Sequence, residues 1–190
     1  MKRLKKFNEL NETKRDSFKY EYGCVMLKLK VDHWKKDVLS LINEEDIYDE
    51  DGFGLEKNAH ITLFFGILGD VDYKDVVEKL KDVEAIPEYV ELKNISIFET
   101  NDLYDVVKFD IDDENGMLTS LNNYIEESFP NNKTFEYHPH CTLAYVKKGR
   151  GVNYIQELEK AFVSKPSRIY YTYPKDGGNK KGDVDIIEFK

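Results

Sequence analysis

Two tripeptides, His60-Ile61-Thr62 and His140-Cys141-Thr142, stand 80 residues apart in a chain that has only four histidines. Seven threonines in 190 residues would put a Thr two places after a given His about 4% of the time. Two matches in four is far above that rate. Each tripeptide opens an apolar run, Leu63-Phe64-Phe65 in one case and Leu143-Ala144-Tyr145-Val146 in the other. Such runs read as buried β-strands, in which side chains two apart share a face. Each copy therefore sets an imidazole beside a hydroxyl on one surface. An imidazole exchanges its proton near neutrality, so a pair of them suits one group that takes a proton and another that gives one. Hydroxyls beside them can donate to the non-bridging oxygens of a phosphate, where charge builds in the transition state. The pattern suggests two facing half-sites, each pairing an imidazole with a hydroxyl.

The surrounding elements repeat. Gly23–Val31 reads as a strand, Asp32–Asn43 as a helix capped by Asp32, and residues 60–66 as the first motif strand. A helix over Tyr73–Val83 and a strand over Tyr89–Glu99 complete the first half. The second half offers a strand at Asp105–Ile111, a helix at Met117–Phe129, the motif strand 140–146 and a helix at Tyr154–Val163. Strands Ser167–Tyr173 and Val184–Phe189 flank a Gly/Lys-rich hairpin loop, 174–182, that is the candidate lid. The order strand, helix, motif strand, helix, strand thus occurs twice. It predicts an α+β domain of two similar lobes, about 21–100 and 101–190, behind a charged arm, residues 1–20.

Bulk composition narrows the partners. A net charge of −9 excludes a general duplex DNA or RNA binder, which needs a broad basic face. A small nucleotide needs only a local positive pocket. Basic Met1–Phe7 is not followed by an apolar stretch of signal-peptide length, and there is no run of 18 apolar residues. The expectation is a cytoplasmic protein without membrane contact. Cys24 and Cys141 both fall in apolar strand patterns and read as reduced, buried thiols.

The motifs and their flanks, Asn58-Ala59-His60-Ile61-Thr62-Leu63-Phe64-Phe65-Gly66 and Tyr137-His138-Pro139-His140-Cys141-Thr142-Leu143-Ala144-Tyr145, resemble the 2H phosphoesterase superfamily, which includes the 2′-5′ RNA ligase-like proteins. The resemblance spans roughly residues 20 to 190. It is most marked toward phage-encoded members, among them nucleases that destroy cyclic-nucleotide signals of bacterial anti-phage defence. It implies two lobes of antiparallel sheet with flanking helices, the two motif strands facing one central cleft. It also implies a monomeric, metal-independent phosphodiesterase without cofactor, with His60, Thr62, His140 and Thr142 as the catalytic set. The substrate would be a cyclic oligonucleotide or short RNA, met in the host cytoplasm if the protein is phage-encoded. Processing of RNA ends, 2′,3′-cyclic phosphates or 2′-5′ oligonucleotides is the enzymatic alternative. A non-catalytic nucleotide sponge is the alternative of another class.

Further residues are weighed on their own chemistry. His138 shares a strand face with His140 at a spacing compatible with zinc, yet no carboxylate or Cys completes a set, so a structural role is the better reading. Tyr22 and Tyr173 are the expected platforms for stacked bases. Lys147-Lys148-Gly149-Arg150 has the look of a phosphate loop but lies too far from His140 to reach the scissile group, and reads as a solvated turn. Residues 44–56 read as a solvated connection from which Phe53 could close over a base.

Overall fold

The computed structural model describes residues 20–30, 38–50, 53–84, 86–99 and 102–189. Eight strands form one antiparallel sheet: β1 (Tyr22–Leu29), β2 (His60–Leu68), β3 (Val90–Phe98), β4 (Tyr104–Ile111), β5 (His140–Lys147), β6 (Phe162–Ser164), β7 (Pro166–Lys175) and β8 (Lys180–Glu188). Their order across the sheet is β6-β3-β4-β5-β2-β1-β7-β8. Among the described residues, helices α1 (Tyr73–Leu80) and α2 (Met117–Ser128) pack on one face. The α+β class and the strands about both motifs are as expected. The two halves of the sheet, however, are not the two halves of the chain. β3 joins β4 and β5, while β7 and β8 return to β1, so each half borrows strands across the expected division near residue 100.

The halves meet at β2 and β5, and there the register contains a single pair, Ile61 with Cys141. Both side chains are fully buried. Beyond that point the strands part, and other segments satisfy the edges they expose. Segment 130–132 runs along the distal end of β2, with Leu68 N–H donating to Pro130 O and Asn132 N–H to Gly66 O. Residues 47–48 and 54–56 run along β5, with Tyr48 N–H donating to Tyr145 O, Tyr145 N–H to Gly54 O, and Glu56 N–H to Leu143 O. Of the expected solvated connection 44–56, residues 47–48 and 54–56 are thus bound to the sheet edge, because unpaired backbone groups there would otherwise be buried without partners.

The core lies between the sheet and the helices. Val25, Leu27, Ile61, Ile67, Phe109 and Tyr171 are wholly covered, and α1 adds Val76 and Leu80. Asp72 caps α1 by accepting from Lys74 N–H. At α2 the N-cap position is Gly116, and Asp113 does the capping from three residues upstream. Its carboxylate accepts from Leu118 N–H, Thr119 N–H and the Thr119 hydroxyl.

Several expectations are corrected. Tyr154–Val163 is not a helix: a short 3₁₀ turn, Gly151–Tyr154, is followed by an extended run that ends in β6. Gln156 exchanges both backbone bonds with Ile95, and β6 pairs with β3, so a free sheet edge outcompetes a helical apolar pattern. The 174–182 hairpin is not a lid: Tyr173, Pro174 and Lys175 pair with Gly182, Lys181 and Lys180, leaving only a tight turn. The run 147–150 is an exposed turn, as expected. It wraps buried Asp105, which accepts from Gly149 and Gly151 N–H and pairs with Lys148, while Arg150 reaches Asp46. The expected helix over Asp32–Asn43 and the arm 1–20 lie largely outside the described residues; Val38 and Ile42 are buried.

Gly66 sits at φ +119°, and a Cβ there would stand 3.2 Å from the Asn132 carbonyl oxygen. It is where the covering strand replaces β5 as the neighbour of β2. Gly66→Ala should therefore destabilise the fold by more than about 1 kcal/mol, measured by urea unfolding. An unchanged midpoint would contradict the close approach.

Candidate active site

The Ile61–Cys141 pair is the centre of a local pseudo-twofold. In antiparallel register its flanking residues come together, Thr62 toward His140 and His60 toward Thr142. Because Ile61 and Cys141 point into the core, the two histidines and two threonines point to the opposite face, into one cavity of about 650 Å³. All four predicted catalytic residues line it.

Both imidazoles are held alike. His60 Nδ1 lies 2.7 Å from the carbonyl of Asn58, and His140 Nδ1 lies 2.7 Å from the carbonyl of His138. A carbonyl only accepts, so each ring carries its proton on Nδ1 and turns Nε2 to the cleft when neutral. His138 thus serves His140 through its backbone. Its own ring is exposed, 3.8 Å from Glu136.

The two rings differ in their surroundings. Phe98 stands edge-on to His140 with centroids 4.8 Å apart. Behind it the ammonium of buried Lys108 lies 4.3 Å from the Phe98 ring centre and donates to Ser96 Oγ and Asp110 Oδ1. The His140 pKa is lowered, chiefly by burial, with Lys108 and His60 adding to the effect against the opposing His138 carbonyl and Asp110. In the register with β4, Asp110 and Lys108 stand opposite His140 and Thr142. In the register with β1, Lys28 and Met26 stand opposite His60 and Thr62.

Each motif strand also carries an equivalent irregularity. Pairing with β1 skips Leu63, and pairing with β4 skips Leu143. An extra residue reverses the alternation of faces. It moves the fifth residue after each histidine, Phe65 and Tyr145, onto the cleft face. The Leu63 carbonyl accepts from the buried Asn122 side chain at 2.6 Å, and the Leu143 carbonyl accepts from Glu56 N–H at 2.9 Å. Phe65 stacks with Phe135, and Tyr145 clusters with Phe53 and Tyr104; all five line the cavity. The repeated spacing His-x-Thr-x-x-aromatic is visible in the sequence, but a regular strand would have hidden both rings in the core.

The expected platforms stand elsewhere. Tyr22 accepts a hydrogen bond from Asn132 Nδ2 and meets Phe65 edge-on at 6.0 Å, so it buttresses that ring from outside the cavity lining. Tyr173 is on the helix face, stacked on Tyr73 at 4.7 Å, and does not face the cleft. Phe53 does reach the cleft. Cys24 lines it beside Thr62, while Cys141 is on the opposite face, and the two are not joined in a disulfide. Burial pushes the Cys24 thiol up to about 12, which keeps it protonated.

An antiparallel sheet backed by helices, with two His-x-Thr strands meeting at its centre, defines a phosphoesterase of the two-histidine type. The sequence profile of the 2′-5′ RNA ligase superfamily matches residues 31–168, and the chain belongs to that superfamily. Solved structures with the same fold include Kluyveromyces marxianus Usb1 with uridine monophosphate, at 9% identity and TM-score 0.56, covering 87% of this chain and 98% of that one. Escherichia coli LigT complexed with 3′-AMP matches at 13% identity and TM-score 0.54, covering 90% and 98%. No curated protein sequence matches the chain. No helix among the described residues is long and apolar enough to cross a membrane.

The lowered His140 pKa has a consequence for stability. The folded chain binds this proton less readily than the unfolded chain, whose imidazole titrates near 6.5. The contribution of neutral His140 is present above that pH and is lost as pH falls through it toward the folded value. Urea unfolding at pH 7.5 and 5.0 should show a smaller loss of stability on acidification for His140→Asn than for the wild type. Equal losses would contradict the assignment.

Proposed function

We propose that the protein cleaves 3′-5′ phosphodiester bonds of small cyclic ribo-oligonucleotides, with the 2′-OH as nucleophile and without a metal ion. The observation that carries this reading is the pseudo-twofold at Ile61–Cys141. It supports an in-line displacement, in which a proton leaves the attacking oxygen on one side of phosphorus and one arrives at the leaving oxygen on the other. His140, biased toward its neutral form, takes the 2′-OH proton through Nε2. His60 gives a proton to the departing 5′ oxygen. Thr62 and Thr142 donate to the two non-bridging oxygens. The first product is a 2′,3′-cyclic phosphate, and water can open it with the two histidines exchanging roles.

The substrate class rests on the shape and walls of the cleft. About 650 Å³ accommodates a compact oligonucleotide. Aromatic rings stand on both sides of the histidines, Phe65 with Phe135 and Tyr145 with Phe53, which suits two bases splayed about one phosphate. Cleavage of linear RNA ends is the second reading, favoured by the nucleotides that Usb1 and LigT hold in structures of this fold. A cytoplasmic site of action and a role in phage counter-defence belong to the first reading.

His60→Ala and His140→Ala should each lower kcat roughly 10²–10⁴-fold on a panel of cyclic di- and trinucleotides and short RNAs assayed in EDTA. Thr62→Val and Thr142→Val should cost less, since each removes a single hydrogen bond. Replacing the ribose by 2′-deoxyribose should abolish cleavage and preserve binding. Cleavage of the deoxy substrate at the ribo rate would overturn internal attack. Tight binding without turnover by the wild type across the panel would make the protein a sponge.

A further inference from the structure

The cleft contains two lysines, Lys133 and Lys181, and their circumstances differ. Lys133 is committed: it pairs with Glu126 and donates to Asn122 Oδ1, the residue whose amide holds the Leu63 bulge. Lys181 has no hydrogen-bond or ion-pair partner among the described residues. It is carried by the β7-β8 hairpin, where Lys180 beside it pairs with Asp176 at the turn, 2.9 Å away. Successive residues on a strand point to opposite faces, so the alternation gives one lysine to the turn and the other to the cleft.

Register locates the free ammonium. Cys24 pairs with Phe65 on one side and with Thr172 on the other, and Thr172 pairs with Asp183. Lys181 is two residues from Asp183 on the same face, displaced toward the Tyr22 end of β1. It therefore stands outward of Phe65 along the cleft, away from the His60–His140 centre. It remains near enough to act on the Cys24 thiol, which itself touches Thr62. A scissile phosphate held by both histidines lies at the pseudo-twofold. An ammonium on the far side of the Phe65 platform lies where the next phosphate of the chain would come, one nucleotide away.

Resting on the proposed phosphodiesterase activity, we infer that Lys181 binds a second, non-scissile phosphate, and that the enzyme selects substrates with at least two phosphates over those with one. The rest of the cleft agrees with this. Its other charged walls, Glu56 and Glu136, are acidic and would repel a phosphate placed elsewhere. A strand-borne lysine is also fixed in position better than one on a loop.

The test uses a 3′,3′-linked cyclic diribonucleotide and its analogue in which one of the two linkages is a neutral methylphosphonate. The linear triribonucleotide and its singly neutralised analogue provide the same comparison for linear substrates. In both analogues one ordinary phosphodiester remains to be cut. Wild-type kcat/KM should fall about tenfold on neutralisation, the scale of one charge-assisted hydrogen bond, and the change should lie mainly in KM. Lys181→Gln should erase most of that difference, Lys181→Arg should restore it, and Lys180→Gln should leave it as in the wild type. Equal sensitivity of wild type and Lys181→Gln to neutralisation would overturn the inference, as would a wild type indifferent to it. If wild type cleaves none of the four compounds nor any shorter ribonucleotide, the reading of the site itself falls and takes the inference with it.

Discussion

One backbone pairing, Ile61 with Cys141, holds the two halves of the sheet in register and the two His-x-Thr motifs against each other. Two fully buried side chains on the core face force the four polar ones to the other face. Had β2 and β5 continued to pair, the sheet would have been closed at the place where a phosphate must enter. Because they part after one pair, each motif strand needs a substitute neighbour. Segment 130–132 on one side, and residues 47–48 and 54–56 on the other, satisfy carbonyls and amides that parting exposes. The cleft is thus the gap left where a ladder stops; Phe53 and Glu56 on the side of the second substitute line it, and Lys133 and Phe135, which follow the first, line it opposite.

The same constraint explains the aromatic lining. The bulges at Leu63 and Leu143 shift face parity after the threonines, so each motif ends in a ring on the same cleft face as its imidazole. The Asn122 side chain and the Glu56 N–H donate to the carbonyls of the two bulged leucines. The asymmetry between the halves then rests on what faces each histidine across the next strand. His140 has buried Lys108 and Asp110, and His60 has Lys28 and Met26. An otherwise symmetric pair of imidazoles thereby stands in two different settings, and burial lowers the pKa of His140.

Much of the fold and the four polar residues of the site could be read from local pattern. Strands with apolar alternation, and helices such as Tyr73–Leu80 with a capping Asp, declare themselves within a few residues. What escaped was whatever depends on distant partners. Gln156 and Phe162 join β3 because that edge is vacant, a fact held more than 60 residues away. The return of β7 and β8 to β1 is likewise a matter of topology. Tyr173 was plausible as a platform only while its face was unknown; strand parity from Tyr171 places it under α1. Phe65 and Tyr145 were hidden for the converse reason, since a bulge cannot be seen in composition.

The division of labour between the imidazoles is tested most directly by changing the leaving group. In a ribonucleotide substrate with sulfur in place of the bridging 5′ oxygen, the departing thiolate needs no proton. The acid then loses its task and the base keeps its own. Single-turnover rates on the oxygen and sulfur substrates should show His60→Ala restored toward wild type by sulfur and His140→Ala still slow. Restoration of both variants, or of neither, would contradict an account in which one imidazole on each side of a single register pair serves one side of the phosphorus.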